Sequence, residues 1–585
     1  MLHQLVEYAR THLPDSEPGF AVKELRWQVQ VSPHGTFLAL LPLGDGKRGQ
    51  QQQCPDMHNM NAGGRAHFLV ESAQSLALFF KDENEQADKG PGAEEKHRFF
   101  RRMLDQAAQA VPELDPIAAM LSNLAELDRL RAALGEHKAK PTDWIKLVVG
   151  GFDPLRSPAC REWWRAWRVN DLAEPVKPRK PGKFSAAEEA QRHICLLTGE
   201  AVKPVSTHPK IKGLAGVGGL GTGDVIVGFD KQAFGSYGLE QSLNAAMSET
   251  AARQYADGLN DLIDKHSRKL AGALVAHWFK EQIKTEDDPL AFLYEPPDMA
   301  EASAQIKARE LLDAIRAGRR PDLGNNRYFA LTLSGASGRV MVRDWMEGSF
   351  TDLIASVNAW FEDLSIVARD GQGHAREPKF MAVCGALVRD LKDIPAPTVT
   401  QLWRCALARL PIPFAALAQA LARVRVDIIN DQSMNHARMG LIKAYFIRKK
   451  GGQNVMSAYL NEDHPEAAYH CGRLIAVLAN LQRAALGDVG AGVVQRYYAA
   501  SSQAPALVMG RLITNSKNHL NKLDGGLPFW YENKIAGILS HIKDRVPRTL
   551  DLEEQSLFAL GYYQQLAYDR QGKGKRAESD NSPAN

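Results

Sequence analysis

The stretch Tyr328–Trp345, YFALTLSGASGRVMVRDW, is β-like, and from Asp352 onward apolar residues recur at three- and four-residue spacing. That change of period decides the fold class. Strand-type segments ahead of a long helical run predict an α+β protein: mixed N-terminal and central regions with short β-sheets, followed by a C-terminal α-helical bundle. Toward the N-terminus, DVIVGF (Asp224–Phe229) reads as a strand and a helix is expected around Glu249–Lys269. RWQVQV and TFLALL flank the turn SPHG and predict a β-hairpin. A mixed apolar segment covers His67–Phe80, helical patterns dominate Glu94–Leu134, and MLHQLVEYARTHLP predicts an opening amphipathic helix.

A chain of 585 residues exceeds what one hydrophobic core supports, so several domains are expected. The divisions fall at 1–180 (N-terminal α+β), 185–350 (central α+β with a Gly-rich loop), 351–455 (helical and basic), 456–570 (helical bundle) and 571–585 (disordered tail). EPVKPRKPGKF, Glu174–Phe184, has the composition of a linker.

The net charge of +4 is slight for this length, so a nucleic-acid role requires clustered bases. One cluster exists. Between Gln401 and Lys450 stand Arg404, Arg409, Arg423, Arg425, Arg438, Lys443, Arg448, Lys449 and Lys450, opposed only by Asp427 and Asp431. The plain reading of such a run is a solvated helix face. The six cysteines include no CxxC pair and suggest no disulfide framework. The first residues lack the unbroken apolar core of a signal peptide, and no later stretch is long enough to span a bilayer, so a cytoplasmic location is expected.

Catalytic motifs are missing. GVGGLG (Gly216–Gly221) matches GxGxxG, but a strand-like run follows it where dinucleotide binding needs a helix. No histidine is followed by aspartate, and HExxH and GxSxG are absent. Pro297-Asp298 with Lys307 only superficially resembles a nuclease carboxylate–lysine set. No catalytic residue, metal or cofactor is expected.

The informative stretch is Cys195–Ile263, with CLLTGE, HPKIKG, the Gly-rich loop, the strand-like run before GFD, and AFGSYGLEQSLNAAMSE. It resembles the central signature of the large subunit of the type I-C CRISPR Cascade complex. Further matches follow in the same order: YFALTLSGASGRVMVRDW, IKAYFIRKK, AAYHCGRLIAVLANLQRAALG, VVQRYYAASSQAPALV and EEQSLFALGYYQQ. One departure stands out: the family often has a Pro soon after Asn244, where this chain has Ala245 and Ala246. The residues themselves suit a nucleic-acid role. Lys203, His208, Lys210 and Lys212 lead into backbone that glycine leaves open to a phosphate. Ser236, Tyr237, Gln241, Ser242 and Asn244 can bond or stack on bases. The competing reading is a polar loop that caps its own helix.

The resemblance implies a non-enzymatic subunit in antiviral defence that works beside CRISPR guide RNA. The RNA reads the long target by pairing, while the protein recognises the protospacer-adjacent motif in double-stranded DNA, aids strand separation and stabilises the R-loop. Implied partners are the backbone, handle-binding and small subunits and a helicase-nuclease that it helps to recruit. The motif-reading candidates are Gln241 and Asn244, with Ser236 and Tyr237, and Arg65 as an inserting residue. Phosphate-binding candidates are Lys210, Lys212, Arg339 and Arg343 (evenly spaced on one strand), and Arg423, Arg425, Arg448, Lys449 and Lys450 along the displaced strand. The resemblance also implies a small subunit translated from within the gene. Met456 is the start expected for it, giving the 130 residues 456–585. Codons for Lys450-Gly451-Gly452 can resemble a ribosome-binding site. The alternatives are a metal-dependent nuclease with an unrecognised site and a protein scaffold.

Overall fold

The structure is a computed structural model that describes residues 1–14, 17–45, 48–57, 64–170, 193–205, 207–229, 231–237, 239, 241–295, 303–429, 434–449, 456–487, 489, 492–542 and 545–580. Helix accounts for 55% and strand for 15%, the strands confined to small sheets, so the α+β expectation holds. The chain forms two compact units: Met1–Ala215 with Gly219–Ile263 and Ser337–Val340, and Gly216–Gly218 with Asp264–Ala336 and Met341–Asn585. The expected linker at 174–184 lies outside the described residues.

In the first unit, β1 (Phe20–Val31) is central to a sheet with β2 (Phe37–Pro42), β3 (Gln50–Pro55), β4 (Val70–Ser72) and β5 (Trp144–Val149). The expected hairpin is present. β1 and β2 pair antiparallel, Val29 opposite Leu40, and Ser32 Oγ accepts from the Thr36 and His34 amides to close the turn. β3 pairs antiparallel with the first half of β1, and β5 runs parallel to it. His67–Phe80 resolves into β4 and a short helix, Ala73–Leu76. Helices α1 (Leu2–His12), α2 (Glu83–Ala108), α3 (Asp115–Ser122), α4 (Leu124–Glu136), α5 (Pro158–Asn170) and α6 (Glu249–Lys265) complete the unit. Leu25 and Val29 of the sheet share one core with Phe100, Leu104, Leu121, Leu130 and Trp164. α1 lies tight on α6, where a Cβ on Gly258 would come within 2.6 Å of the Leu5 carbonyl oxygen.

The strand expected at Asp224–Phe229 does not form. The segment makes only isolated bridges, Ile211 to Asp224 and Val225 to Arg339. An alternating run becomes a strand only when a second backbone keeps pace with it, and here pairing stops after two residues.

The second unit holds β8 (Ser267–Leu270), β9 (Ala273–Phe279), β10 (Arg327–Ala336) and β11 (Arg339–Ser349), in the spatial order β11-β10-β9-β8; the first unit also carries a two-strand ribbon, β6 (His193–Ile194) with β7 (Ala201–Val202). Tyr328–Trp345 is therefore two neighbouring strands. α6 ends at Lys265, short of the expected Lys269, because the chain there becomes β8. Then come α7 (Ala304–Arg316), α8 (Phe350–Leu364), α9 (Ala396–Ala408), α10 (Phe414–Ile429), α11 (His436–Arg448), α12 (Ala467–Leu486), α13 (Val493–Gln503), α14 (Pro505–Leu520), α15 (Leu527–Ile542) and α16 (Leu552–Asp580). α16 takes in 571–580 of the tail read as disordered. Ser349 Oγ caps α8 by accepting from the Asp352 amide at 3.0 Å.

α12 is packed against α13, α14, α15 and α16, all of which follow it in the chain. Two glycines let α12 and α16 touch backbone to backbone. A Cβ on Gly472 would lie 1.9 Å from the Phe558 carbonyl oxygen, and one on Gly561 would lie 2.2 Å from that of Tyr469. This explains why AYHCGRL and LFALGYY each need glycine at that point. Among the described residues, no helix is long and apolar enough to cross a membrane.

Candidate nucleic-acid interface

The candidate site in the first unit begins with three short extended segments. The Ile211 amide donates to the Asp224 carbonyl at 2.7 Å and the Asp224 amide returns a bond to Ile211 at 2.8 Å. Val225 in turn exchanges bonds with Gly338 and Val340, both at 2.9 Å. Ile211 is fully buried while its neighbours Lys210 and Lys212 are exposed. Alternation along an extended chain does this: the apolar residue goes in and both lysines go out. Neither lysine Nζ has an ion-pair partner among the described residues, while Asn260 anchors their backbone, accepting from the Lys212 amide at 2.7 Å.

The Gly-rich loop serves the chain's own packing at Gly218, against the Gly335 carbonyl, and at Gly219 and Gly223. The fully buried Asp224 carboxylate turns back to accept from the Leu220 amide, at 3.1 Å and 3.2 Å to its two oxygens. A Cβ on Gly219 would run into that carboxylate at 2.3 Å. Gly223 has φ +92° and sits against the Ile211 carbonyl. Only Gly221 faces open space. Beneath the segment, His208 is buried with Nδ1 2.9 Å from the Tyr255 hydroxyl, and burial lowers its pKa to about 4, so it stays neutral.

Beyond the ladder lies the loop that presents Tyr237 and Gln241. The Leu239 amide donates to the Ser236 carbonyl at 2.8 Å, turning the chain at Tyr237. Tyr237 is 100% exposed. Its φ is +53° and that of Gln241 is +46°. Left-handed backbone costs a non-glycine residue about 1–2 kcal/mol, so two such residues in one loop must be held by their surroundings. Asn244 does the holding. Its Nδ2 donates to the carbonyls of Leu239 (2.9 Å) and Gln241 (3.1 Å), and its Oδ1 accepts from the Ser236 amide (3.0 Å). The Asn244 amide is spent inside the loop, while the exposed Gln241 side chain makes no bond among the described residues. Ser236 is exposed and contributes its backbone, and Ser242 is buried.

Arg339 stands over the Phe234 ring, 4.6 Å from its centre, and Phe234 is 41% exposed. Phe234 is the residue that sequence reasoning passed over. Its signal was present: two aromatics, Phe234 and Tyr237, in a Gly- and Ser-rich segment between lysines, the composition of a base-stacking surface. The structure thus brings together, in one unit, Lys210 and Lys212 on the ladder, Arg339 with Phe234, and the loop tip.

Other candidates lie elsewhere. Arg65 is half-buried, and burial lowers its pKa; Gly63 before it lies outside the described residues, and Gly64 abuts Glu95. Arg343 is exposed on β11, its Nε donating to Ser334 Oγ at 2.8 Å. The basic window divides: Arg404, Arg409 and Lys449 are exposed, Arg404 3.4 Å from Asp344, while other members turn inward. Arg438 is 3% exposed, pairs with Asp427 and donates to the Ala386 carbonyl at 2.7 Å. Arg423 reaches the same Asp427 at 2.6 Å. Arg448 pairs with Asp363 at 2.6 Å, their side chains 3% and 6% exposed. Lys443 is buried, and its pKa falls to about 8 through desolvation. Lys449 reaches Glu553 at 2.5 Å, and Arg425 is half-buried. Lys450 and Asp431, like Pro297 and Asp298, lie outside the described residues. Met456 is partly buried against the core of the second unit.

The model of the family described as CRISPR-associated protein (Cas_Csd1) matches residues 5–568. No curated protein matches the chain.

Proposed function

Since this chain belongs to the CRISPR-associated (Cas_Csd1) family, we propose that it is the large subunit of a type I-C Cascade complex, reading the protospacer-adjacent motif with the loop that presents Tyr237 and Gln241. Its role lies in CRISPR–Cas defence alongside other Cas proteins. The observation that carries the finer reading is the loop's construction. Asn244 spends its whole amide holding Tyr237 and Gln241 in strained, exposed conformations. A chain meets such a cost where surface groups need fixed positions.

The division of labour follows from that geometry. Gln241 offers a donor and an acceptor to a base edge, Tyr237 a ring to stack or wedge at the duplex end, and Asn244 keeps both in place. Lys210, Lys212 and Arg339 contribute charge to neighbouring phosphates. Duplex opening, guide RNA pairing, R-loop stabilisation and recruitment of a helicase-nuclease then follow as the resemblance implies, and the chain itself does not cleave.

The second product fits the bundle. α12 packs on four helices that all lie downstream of Met456, and its polar contacts stay there too: Arg473 with Glu462 and Gln565, Tyr469 with Gln564, Asn480 with Asp569. These contacts support a small subunit of residues 456–585, whose α13 and α16 in the full chain also pack on α10, and α16 on α11.

The test is recovery of the tagged protein from its own operon, with RNA sequencing and intact-mass measurement. Repeat-derived guide RNA plus a fragment starting at Met456 is expected. A protein recovered without RNA contradicts the Cascade role. Guide RNA without the fragment removes the internal start alone.

A further inference from the structure

The second unit contains a cavity of about 260 Å³ at the meeting of α12, α13 and α16, and its rim is built for an anion. Three arginines line it, Arg369 from the loop after α8, Arg483 near the end of α12 and Arg570 on α16. All three are exposed, and among the described residues none of them has a carboxylate partner. No aspartate or glutamate is among the described lining residues. The nearby Asp569 is already taken by Lys534 and Asn480 and does not compete.

Neighbouring groups add donors, and the acid beside Arg369, Asp370, accepts from the Gln372 amide at 2.9 Å. The Gln482 Oε1 accepts from the Val493 amide at 2.7 Å at the start of α13, which leaves its NH₂ group as a donor on the cavity wall. The Arg570 Nη1 donates to the Arg369 carbonyl at 3.1 Å, fixing one guanidinium beside the backbone of the next. The positive end of α13 faces the same space. Arginine forks in a concave site match the oxygens of a phosphate, and like charges with no paired carboxylate among the described residues favour a ligand that supplies the counter-charge.

We propose that this cavity binds the phosphate group of a nucleotide, either as a free nucleoside monophosphate or as the 5′ end of a nucleic-acid strand. The site is independent of the Tyr237 loop and of the reading given to it.

The test uses the full-length chain and calorimetric titration with AMP, inorganic phosphate, and one short single-stranded oligonucleotide in 5′-phosphorylated and 5′-hydroxyl forms. Binding of AMP, weakened about tenfold by Arg483→Gln and again by Arg369→Gln, is the expected result. Arg483→Lys keeps the charge but not the fork and falls between wild type and Arg483→Gln. A strand end as ligand makes the phosphorylated oligonucleotide bind at least tenfold tighter than its hydroxyl form; equal binding of the two, with AMP still bound, assigns the free nucleotide. Because the substituted side chains are exposed, an unchanged unfolding midpoint verifies that each variant is folded. Absence of binding by AMP, phosphate and the phosphorylated strand overturns the proposal, as does undiminished binding by the Arg369→Gln/Arg483→Gln/Arg570→Gln variant.

Discussion

Two stretches of this chain invite the same reading in sequence and receive opposite treatment in the fold. Gln401–Lys450 is the more basic, yet Arg438, Lys443 and the Arg448 side chain are buried, and Asp427 and Asp363 pair with three of its arginines, Arg423, Arg438 and Arg448. The segment from Lys210 to Asn244 is less charged, yet it presents Lys210, Lys212, Tyr237 and Gln241 to solvent. Charge counted along a chain does not report exposure. Asp363 lies 85 residues from Arg448, outside any window drawn around the basic run. The first stretch uses its charge to hold helices together; the second uses its hydrogen bonds to hold side chains apart from the body.

The sharpest way to break this contrast is Arg448→Ala. It leaves Asp363 buried without its partner and should cost about 3–5 kcal/mol of stability in urea unfolding, with DNA affinity of the folded protein unchanged. Lost affinity at full stability would mean the window faces nucleic acid after all.

Acid comes next. Burial holds His464 and His470 at about 4, against the ordinary 6.5 of an unfolded chain. The unfolded state therefore takes up protons first as pH falls. Their contribution is complete above pH 6.5 and is lost on the way down to pH 4. His464→Gln should flatten the pH dependence of the unfolding midpoint across that window; an unaltered slope would contradict the assignment.

Asn244→Ala removes three bonds that organise the loop, worth about 1–3 kcal/mol locally. Hydrogen exchange at the Ser236 amide should accelerate while global stability hardly moves. If exchange stays slow, the loop is held by something else. Gln241→Ala should narrow the preference among flanking sequences by about 1–3 kcal/mol and leave phosphate-driven affinity in place. The smallest effect belongs to Lys210→Ala and Lys212→Ala. Each should weaken every DNA alike and reduce the salt slope by about one.

Much of the architecture was legible because it follows from period. The Trp27–Pro42 pairing of β1 and β2, the strands within Tyr328–Trp345 and the helical C-terminal half all carry their spacing in the sequence. Asp224–Phe229 misled for the same reason: alternation marks a chain able to form a strand, and the partner is a tertiary fact. The candidate site was legible in composition but not in roles. Asn244 and Gln241 look equivalent as amides, and only the bonds to Ser236, Leu239 and Gln241 separate the residue that holds from the residue that is held. The inward turn of Arg438 and Arg448 depends on carboxylates and carbonyls remote in sequence, and no local pattern announces it.

The central claim is that the loop around Tyr237 and Gln241 chooses the flanking motif while Lys210 and Lys212 hold the backbone. Its most direct test is binding of the assembled complex to duplexes that share one target but differ in every flanking base pair. Wild type, Gln241→Ala and the Lys210→Ala/Lys212→Ala variant would be compared across several salt concentrations. Gln241→Ala is expected to level the preference among flanking sequences, whereas the lysine variant lowers all affinities together and keeps their ranking. A ranking that survives Gln241→Ala intact would contradict it.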